Sequence, residues 1–346
     1  MDDVVPLIVA PFHFNEYLDR LPKSLVCGRR IPWLEGATPI AFAASVIPGR
    51  IAAKRFAPDI VHNTFYYPAR AVPGARRILT IHDMIHERYP AMSRANPLIA
   101  RWKAACVRMA DHVICDSANT RRDVLDRYDV AQSKVSVTHL GYDDLVPLVS
   151  GESPAAFRSR LFGADVPYLL YVGARSSYKN FAGLLSAYAT SKPLRENFQL
   201  LCFGGGAFTA AEKSAIARAN VAGRVTQLAG SDAVLADCYA RAALFVYPSL
   251  YEGFGIPPLE AMSLDCPVAC GNNSSLPEVV GDAAATFDSS DFESIRAVIE
   301  RVLASPSLTA ELVERGRSRT RLFSWKKCAA SLLDTYRSVL VRPMRL

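Results

Sequence analysis

The feature that most constrains this chain is a recurring pair of signals: a short apolar, β-branched run, followed by a stretch with helical periodicity. Runs at 7–10, 59–62, 77–82, 112–115 and 134–140 form one series, and runs at 168–172, 199–203, 224–228, 243–247, 267–270 and 284–287 form a second. A strand with one solvated face alternates apolar and polar residues. Strands that are apolar throughout belong in a parallel sheet covered by helices on both faces. The expected class is therefore α/β, with two such halves in tandem. A length of 346 residues fits two domains. Turn formers crowd residues 144–166, including Ser150-Gly151-Glu152-Ser153-Pro154 and Val166-Pro167, and place the boundary there.

Local signals agree with this plan. Ser117 follows the run ending at Cys115 and is expected to cap a helix reaching about Tyr128. Between Ala95 and Ala110, Leu98, Trp102, Ala105, Cys106 and Met109 share one helical face, and Arg94, Arg101 and Arg108 share another. That predicts a core-facing helix with a solvated basic edge; a membrane-surface helix is the alternative. No apolar run reaches the ~18 residues that span a bilayer, so a soluble, cytoplasmic chain is expected. Eight cysteines without a C-x-x-C pair, several inside apolar runs, read as reduced core thiols.

The net charge is +7, and residues 311–346 hold nine Lys/Arg against three acids. That excess favours anionic partners such as nucleotide phosphates, anionic lipid or nucleic acid. Nucleic acid is the least supported of these, because no recognition motif or aromatic-basic interleaving is present. Phe203-Gly204-Gly205-Gly206 follows a strand but lacks G-x-G-x-x-G spacing, which argues against a dehydrogenase.

The chemistry concentrates at Pro248-Ser249-Leu250-Tyr251-Glu252-Gly253-Phe254-Gly255-Ile256-Pro257-Pro258-Leu259-Glu260. It follows an apolar strand, and Pro257 and Pro258 fit only at a helix start, so it reads strand, glycine-bearing loop, helix. Free backbone N–H groups and the positive end of the helix dipole make such a loop a site for phosphate or sugar hydroxyls. Glu252 at the loop and Glu260 about one turn inside the helix can face one cleft.

This segment resembles the E-x7-E motif of retaining glycosyltransferases of the GT-B fold, family 4. Tyr171-Val172-Gly173-Ala174-Arg175 through Lys179-Asn180, Ile81-His82-Asp83, Asp116-Ser117, Leu276-Pro277-Glu278 and Phe323-Ser324-Trp325 are similar to other segments of that family. The resemblance implies two Rossmann-like domains with parallel sheets facing across a cleft. An acceptor-side domain would span 1–150 and a nucleotide-sugar domain 151–324, with the final helix, about 325–346, crossing back to the first.

It further implies that Arg175 and Lys179 hold the donor diphosphate together with the loop Gly253, Phe254, Gly255 and Ile256. Glu260 and Gly204 would hold the nucleotide, and His82, Glu252 and Asp83 would serve the reacting centre. His62 and His13 would lie on the acceptor side. The implied reaction moves a mannose-like or glucose-like hexose from a GDP- or UDP-linked donor to a glycan or lipid-linked acceptor of bacterial surface polysaccharide, with retention and without cofactor. No D-x-D triplet occurs, so no divalent metal is expected. Peripheral contact with the inner face of a membrane fits a lipid-linked acceptor. Nucleotide-sugar isomerases share the architecture but typically lack E-x7-E in this form.

One departure stands out. Family members usually open with a strand and a Gly-rich loop, and nothing of that kind precedes Leu7. The expectation is a chain short of its first βα unit, on the order of 30 residues, and thereby a weakened first domain; a late-assigned start or a shorter member are the alternatives.

Overall fold

The computed structural model describes residues 4–32, 38–68, 72–92, 96–175 and 177–341; Arg94, Arg342 and Arg345 lie outside them. The first half contains β1 (Ile8–His13), β2 (Val26–Arg30), α1 (Thr38–Phe56), β3 (Ile60–Asn63), β4 (Arg76–Ile81), α2 (Ile85–Arg88), α3 (Asn96–Met109), β5 (His112–Cys115), α4 (Ala118–Arg127) and β6 (Val135–Val137). The second half runs α5 (Pro154–Phe162), β7 (Tyr168–Val172), α6 (Phe181–Thr190), α7 (Lys192–Asn197), β8 (Gln199–Phe203), α8 (Ala210–Arg218), β9 (Val225–Leu228) and α9 (Asp232–Arg241). It continues through β10 (Leu244–Tyr247), α10 (Ile256–Ser263), β11 (Val268–Gly271), α11 (Leu276–Val280), β12 (Ala285–Phe287), α12 (Phe292–Leu303), α13 (Pro306–Thr320) and α14 (Trp325–Leu340).

The second sheet has six strands in the order β12-β11-β10-β7-β8-β9, all parallel. Its central strands β7, β8, β10 and β11 are buried at every residue, which is why their sequences do not alternate. The order reverses between β10 and β7, the kind of position where open α/β sheets hold ligands beyond their carboxyl ends. The first half divides into a four-stranded parallel sheet, β3-β4-β5-β6, and a separate parallel pair, β1-β2. Strand β2 lies outside both series of apolar runs, because its Val-Cys-Gly-Arg-Arg is neither uniformly apolar nor alternating.

Helix α3 faces the core with Trp102 and Cys106 and leaves Arg101 and Arg108 exposed, as expected, but its buried stripe is shifted. Leu98 and Met109 are exposed, and the buried stripe is Lys103, Cys106, Val107 and Ala110. A fully buried lysine at a core position breaks the apolar pattern on which the expectation rested. Seven of the eight cysteines are buried and all are free. Three arginines of the basic 311–346 segment are committed within the protein: Arg317 grips Asp265 through two nitrogens at 2.7 and 2.9 Å, Arg315 pairs with Glu311, and Arg319 donates to the carbonyls of Glu278 and Val279. Among the described residues, no helix is long and apolar enough to cross a membrane.

Helix α14 leaves the second half and packs on the first, where Val339 meets Ile78 and Ile114. The same crossing engages His62, expected on the acceptor side, with protein partners. Its Nδ1 lies 2.7 Å from the Tyr336 hydroxyl and its Nε2 2.7 Å from Thr80 Oγ1, so both ring nitrogens serve protein partners. Burial, reinforced by the nearby charge of His82, lowers its pKa to about 4. A histidine depressed in the folded state contributes stability that is whole above its unfolded value of about 6.5 and is lost as the pH falls toward 4. Urea unfolding should therefore show a steeper loss of stability between pH 6.5 and 4 in the wild type than in His62→Gln; parallel curves would mean that His62 is not the titrating group.

Candidate active site

The carboxyl ends of the two sheets meet at the loop after β10. Gly253 lies so close to the first domain that a Cβ there would sit 1.8 Å from the His82 carbonyl oxygen. Thr120 of α4 donates to the Gly253 carbonyl at 3.1 Å. From behind, the buried Ser275 hydroxyl reaches the carbonyls of Glu252 and Phe254 at 2.9 and 2.7 Å, and Ser274 Oγ accepts from the Glu252 amide.

Lys179 and Glu252 form an ion pair at 2.7 Å, and Lys179 also donates to the buried Tyr247 hydroxyl at 3.1 Å. Lys179 arrives from the loop after β7 and Glu252 from the loop after β10, so adjacent strands bring them together. Across the contact, His82 follows β4 and pairs through Nδ1 with Asp116, at the end of β5, at 2.8 Å. Its Nε2 faces the Thr64 carbonyl at 3.2 Å. Burial opposes a charge on His82, but the hydrogen bond and charge of Asp116 and the Thr64 carbonyl outweigh it, and the imidazole titrates above its ordinary value. Both partners accept, which favours the doubly protonated ring.

Asp83 turns its Oδ1 to the Ile85 amide at 2.9 Å and so closes the start of α2. Beneath it the buried Lys103 donates to the Asp83 carbonyl at 2.8 Å and to Glu87 at 2.9 Å, with its ammonium 4.6 Å from the Tyr66 ring centre. Glu260 sits in α10 with Oε2 3.2 Å from the Tyr239 hydroxyl, and burial pushes its carboxyl up to about 7. Gly255 begins α10 at a φ of +111°, in the left-handed region that favours glycine.

Several expected residues have other positions. Arg175 does not reach into the cleft: its side chain is 2% exposed and pairs with Glu212 at 2.8 Å. Its two terminal nitrogens donate to the carbonyls of Gly204, Gly205, Gly206 and Ala207. The three glycines all have positive φ, which gathers their carbonyls around the guanidinium. Gly204 therefore presents its carbonyl to Arg175, and the turn serves as a cation cradle. Phe254 is buried against Phe323 and His139, and Ile256 packs on the same core, so only their backbone faces the loop. His13 ends β1, its Nδ1 buried without a partner among the described residues.

Glu278 has a role that its sequence position did not announce. Its carboxylate accepts from the amides of Ala118 and Asn119, at the N-terminus of α4 in the other domain, at 2.8 and 3.3 Å, and pairs with His139 at 2.7 Å. Burial raises a carboxyl pKa, but these hydrogen bonds outweigh it and hold Glu278 below its ordinary value. The preceding strand and the Ser117 cap mark the α4 N-terminus as an anion site; nothing local marks which anion would fill it.

Comparison with known proteins gives the family and the fold. Residues 153–319 match the family described as "Glycosyl transferases group 1", and residues 8–144 match "Glycosyltransferase Family 4". The O-antigen chain mannosyltransferase B of Escherichia coli is 30% identical over 345 residues, covering 94% of this chain and 89% of that protein. Sucrose-phosphate synthase from Thermosynechococcus elongatus superposes with a TM-score of 0.72 at 21% identity, over 90% of this chain and 80% of that one. Anabaena Alr3699/HepE in complex with UDP-glucose superposes at 0.70 and 17% identity, over 90% and 86%. The structural neighbours are GT-B glycosyltransferases, so the fold is GT-B.

Two substitutions separate the structural groups from the cleft. Glu278→Ala should lower the unfolding free energy by about 1–3 kcal/mol at neutral pH. Because the folded pKa is depressed, that difference should narrow as the pH falls below the ordinary glutamate range; a pH-independent gap in urea titrations would count against it. Arg175→Met leaves four carbonyls and Glu212 without their cation and should cost about 3–5 kcal/mol of stability, with nucleoside diphosphate affinity per folded molecule within a few-fold of wild type by calorimetry.

Proposed function

The chain belongs to the family 4, group 1 glycosyltransferases, and from that premise we propose that it is a retaining hexosyltransferase using a nucleoside-diphosphate sugar. The observation that carries this reading is the facing of two charge pairs, Lys179–Glu252 and His82–Asp116, across the Gly253–His82 contact. The acceptor would be a glycan or lipid-linked saccharide of bacterial surface polysaccharide, and the hexose mannose-like. Its support is the likeness to the O-antigen mannosyltransferase. The likeness to a neighbour solved with UDP-glucose supports the donor class and keeps a glucose-like sugar and uridine in view beside guanosine.

In this mechanism the bond between C1 of the sugar and the diphosphate oxygen breaks while a bond from the acceptor oxygen forms on the same face. The acceptor's proton passes to the departing phosphate oxygen, so no side chain acts as nucleophile. Lys179 and the backbone N–H groups at the start of α10 neutralise the charge that grows on the diphosphate, which is differential stabilisation of the transition state. Glu252 orients the sugar and holds Lys179 until the diphosphate replaces it. The Nε2–H of His82, at 3.2 Å from the Thr64 carbonyl the longer of its two contacts, turns to a sugar hydroxyl. Glu260 accepts from the ribose hydroxyls.

Thermal shift against GDP- and UDP-linked mannose and glucose tests the donor, since a ligand at 100 times its Kd adds about 2.7 kcal/mol of apparent stability. No shift and no transfer with any of them would overturn the reading. Glu252→Gln should lower kcat by about 10²–10³ with nucleotide affinity nearly kept. Glu260→Ala should weaken nucleoside diphosphate binding by about 1.5–3 kcal/mol. Because the Glu260 carboxyl titrates at about 7, wild-type affinity should rise through neutral pH and Glu260→Gln should flatten that rise; identical pH profiles in calorimetry would exclude Glu260 as the ribose acceptor.

A further inference from the structure

Tyr251 is a residue of the second domain whose side chain lies inside the first. Only 3% exposed, it joins the apolar cluster of Leu79, Ile81, Met84 and Cys115. Its hydroxyl accepts from the Met84 amide at 3.2 Å and donates to Asp123 Oδ2 of α4 at 2.7 Å. The Arg88 guanidinium covers the ring at 4.7 Å from its centre, and Arg88 Nη2 holds the other Asp123 oxygen at 2.6 Å. Every polar partner of the phenol belongs to the first domain. The hydroxyl needs its proton to donate to Asp123, and burial beside that carboxylate keeps it protonated.

Sequence adjacency gives this contact its significance. Tyr251 immediately precedes Glu252, and Met84 stands two residues after His82. One phenol thus ties the backbone carrying one reacting-centre residue to the backbone carrying the other, from opposite domains. An opening of the cleft that separated these loops would withdraw Tyr251, leaving the Met84 amide without its acceptor, taking from Asp123 the phenol but not Arg88, and exposing the ring. We propose that Tyr251 is a positioning residue: a peg that fixes the register between Glu252 and His82 when the domains are closed, and so sets turnover without contributing to nucleotide binding. This rests on the functional reading above, in which both residues serve one reacting centre.

The test uses the full chain with Tyr251→Phe, which keeps the ring packed and removes both hydrogen bonds, and with Asp123→Asn, which removes the charged acceptor from the other side. Both should lower kcat about tenfold, with donor KM and calorimetric Kd for nucleoside diphosphate within twofold of wild type. Without any substrate, amide hydrogen exchange at Met84 should quicken about tenfold in Tyr251→Phe. Unchanged Met84 exchange together with kcat within twofold would overturn the peg. So would kcat, KM and nucleotide Kd all worsening in parallel with a lowered Tm, the signature of general loosening. The exchange measurement needs no turnover, so its failure counts against the peg alone, whereas a wild-type chain that transfers no sugar counts against the functional reading.

Discussion

The approach of the Gly253 backbone to the His82 carbonyl is the contact on which the rest of the cleft depends. A Cβ at 253 would lie 1.8 Å from that oxygen, so any other residue would force the two loops apart. With glycine there, the loop after β10 can slide under the end of β4. Thr120 then reaches the Gly253 carbonyl, and Tyr251 and Glu252 fall on either side of the same short segment. Two open sheets that each expose their strand ends become one continuous surface. Neither domain alone offers both the Lys179–Glu252 pair and the His82–Asp116 pair.

Charge within this cleft is paired before any ligand arrives. Lys179 has Glu252, His82 has Asp116, and the buried Lys103 has Glu87 and the Asp83 carbonyl. A dianionic diphosphate must therefore displace existing partners. That displacement selects for a ligand bringing comparable charge and hydrogen-bonding capacity, because removing one member of a buried pair without replacing it is strongly unfavourable. The basic end of the chain follows the same rule on a larger scale. Arg317, Arg315 and Arg319 are tied to Asp265, Glu311 and the carbonyls of the 278–279 segment, so part of the basic charge that pointed outward to anionic partners is paired within the chain.

Legibility in the sequence tracked the range of the interaction that fixes each feature. Ten of the eleven expected runs coincide within a few residues with strands that pair in parallel sheets, and the eleventh, 7–10, overlaps β1, because double-sided burial imposes composition locally. The strand-loop-helix around Pro257 and the Ser117 cap were readable for the same reason. What escaped depends on distant partners. Arg175 looked like a free phosphate ligand until the turn 30 residues on wrapped its carbonyls around it. His62 is answered by Tyr336, 274 residues away. Lys103 occupies a position where the helical period demands an apolar residue, and only the three-dimensional arrangement supplies Glu87, Tyr66 and a carbonyl to receive its charge. The role of Glu278 required knowing that the α4 N-terminus of the other domain would face it.

The return of α14 to the first domain also fixes an order of events during synthesis. Ile78 and Ile114, on neighbouring central strands of the first sheet, are covered by Val339, and the His62–Thr80 pair is completed by Tyr336. These contacts span more than 220 residues of sequence, so the first half leaves the ribosome with part of its apolar face still waiting for its cover. The second sheet and its flanking helices up to α13 can close around their own strands in the meantime, since their cores draw on residues from about 140 to 323. The half that is translated first is thus the half that finishes folding last. Until α14 emerges, its uncovered strands are a surface for chaperones to shield, and a ribosome that stalls before α14 would release a chain whose first domain lacks this cover.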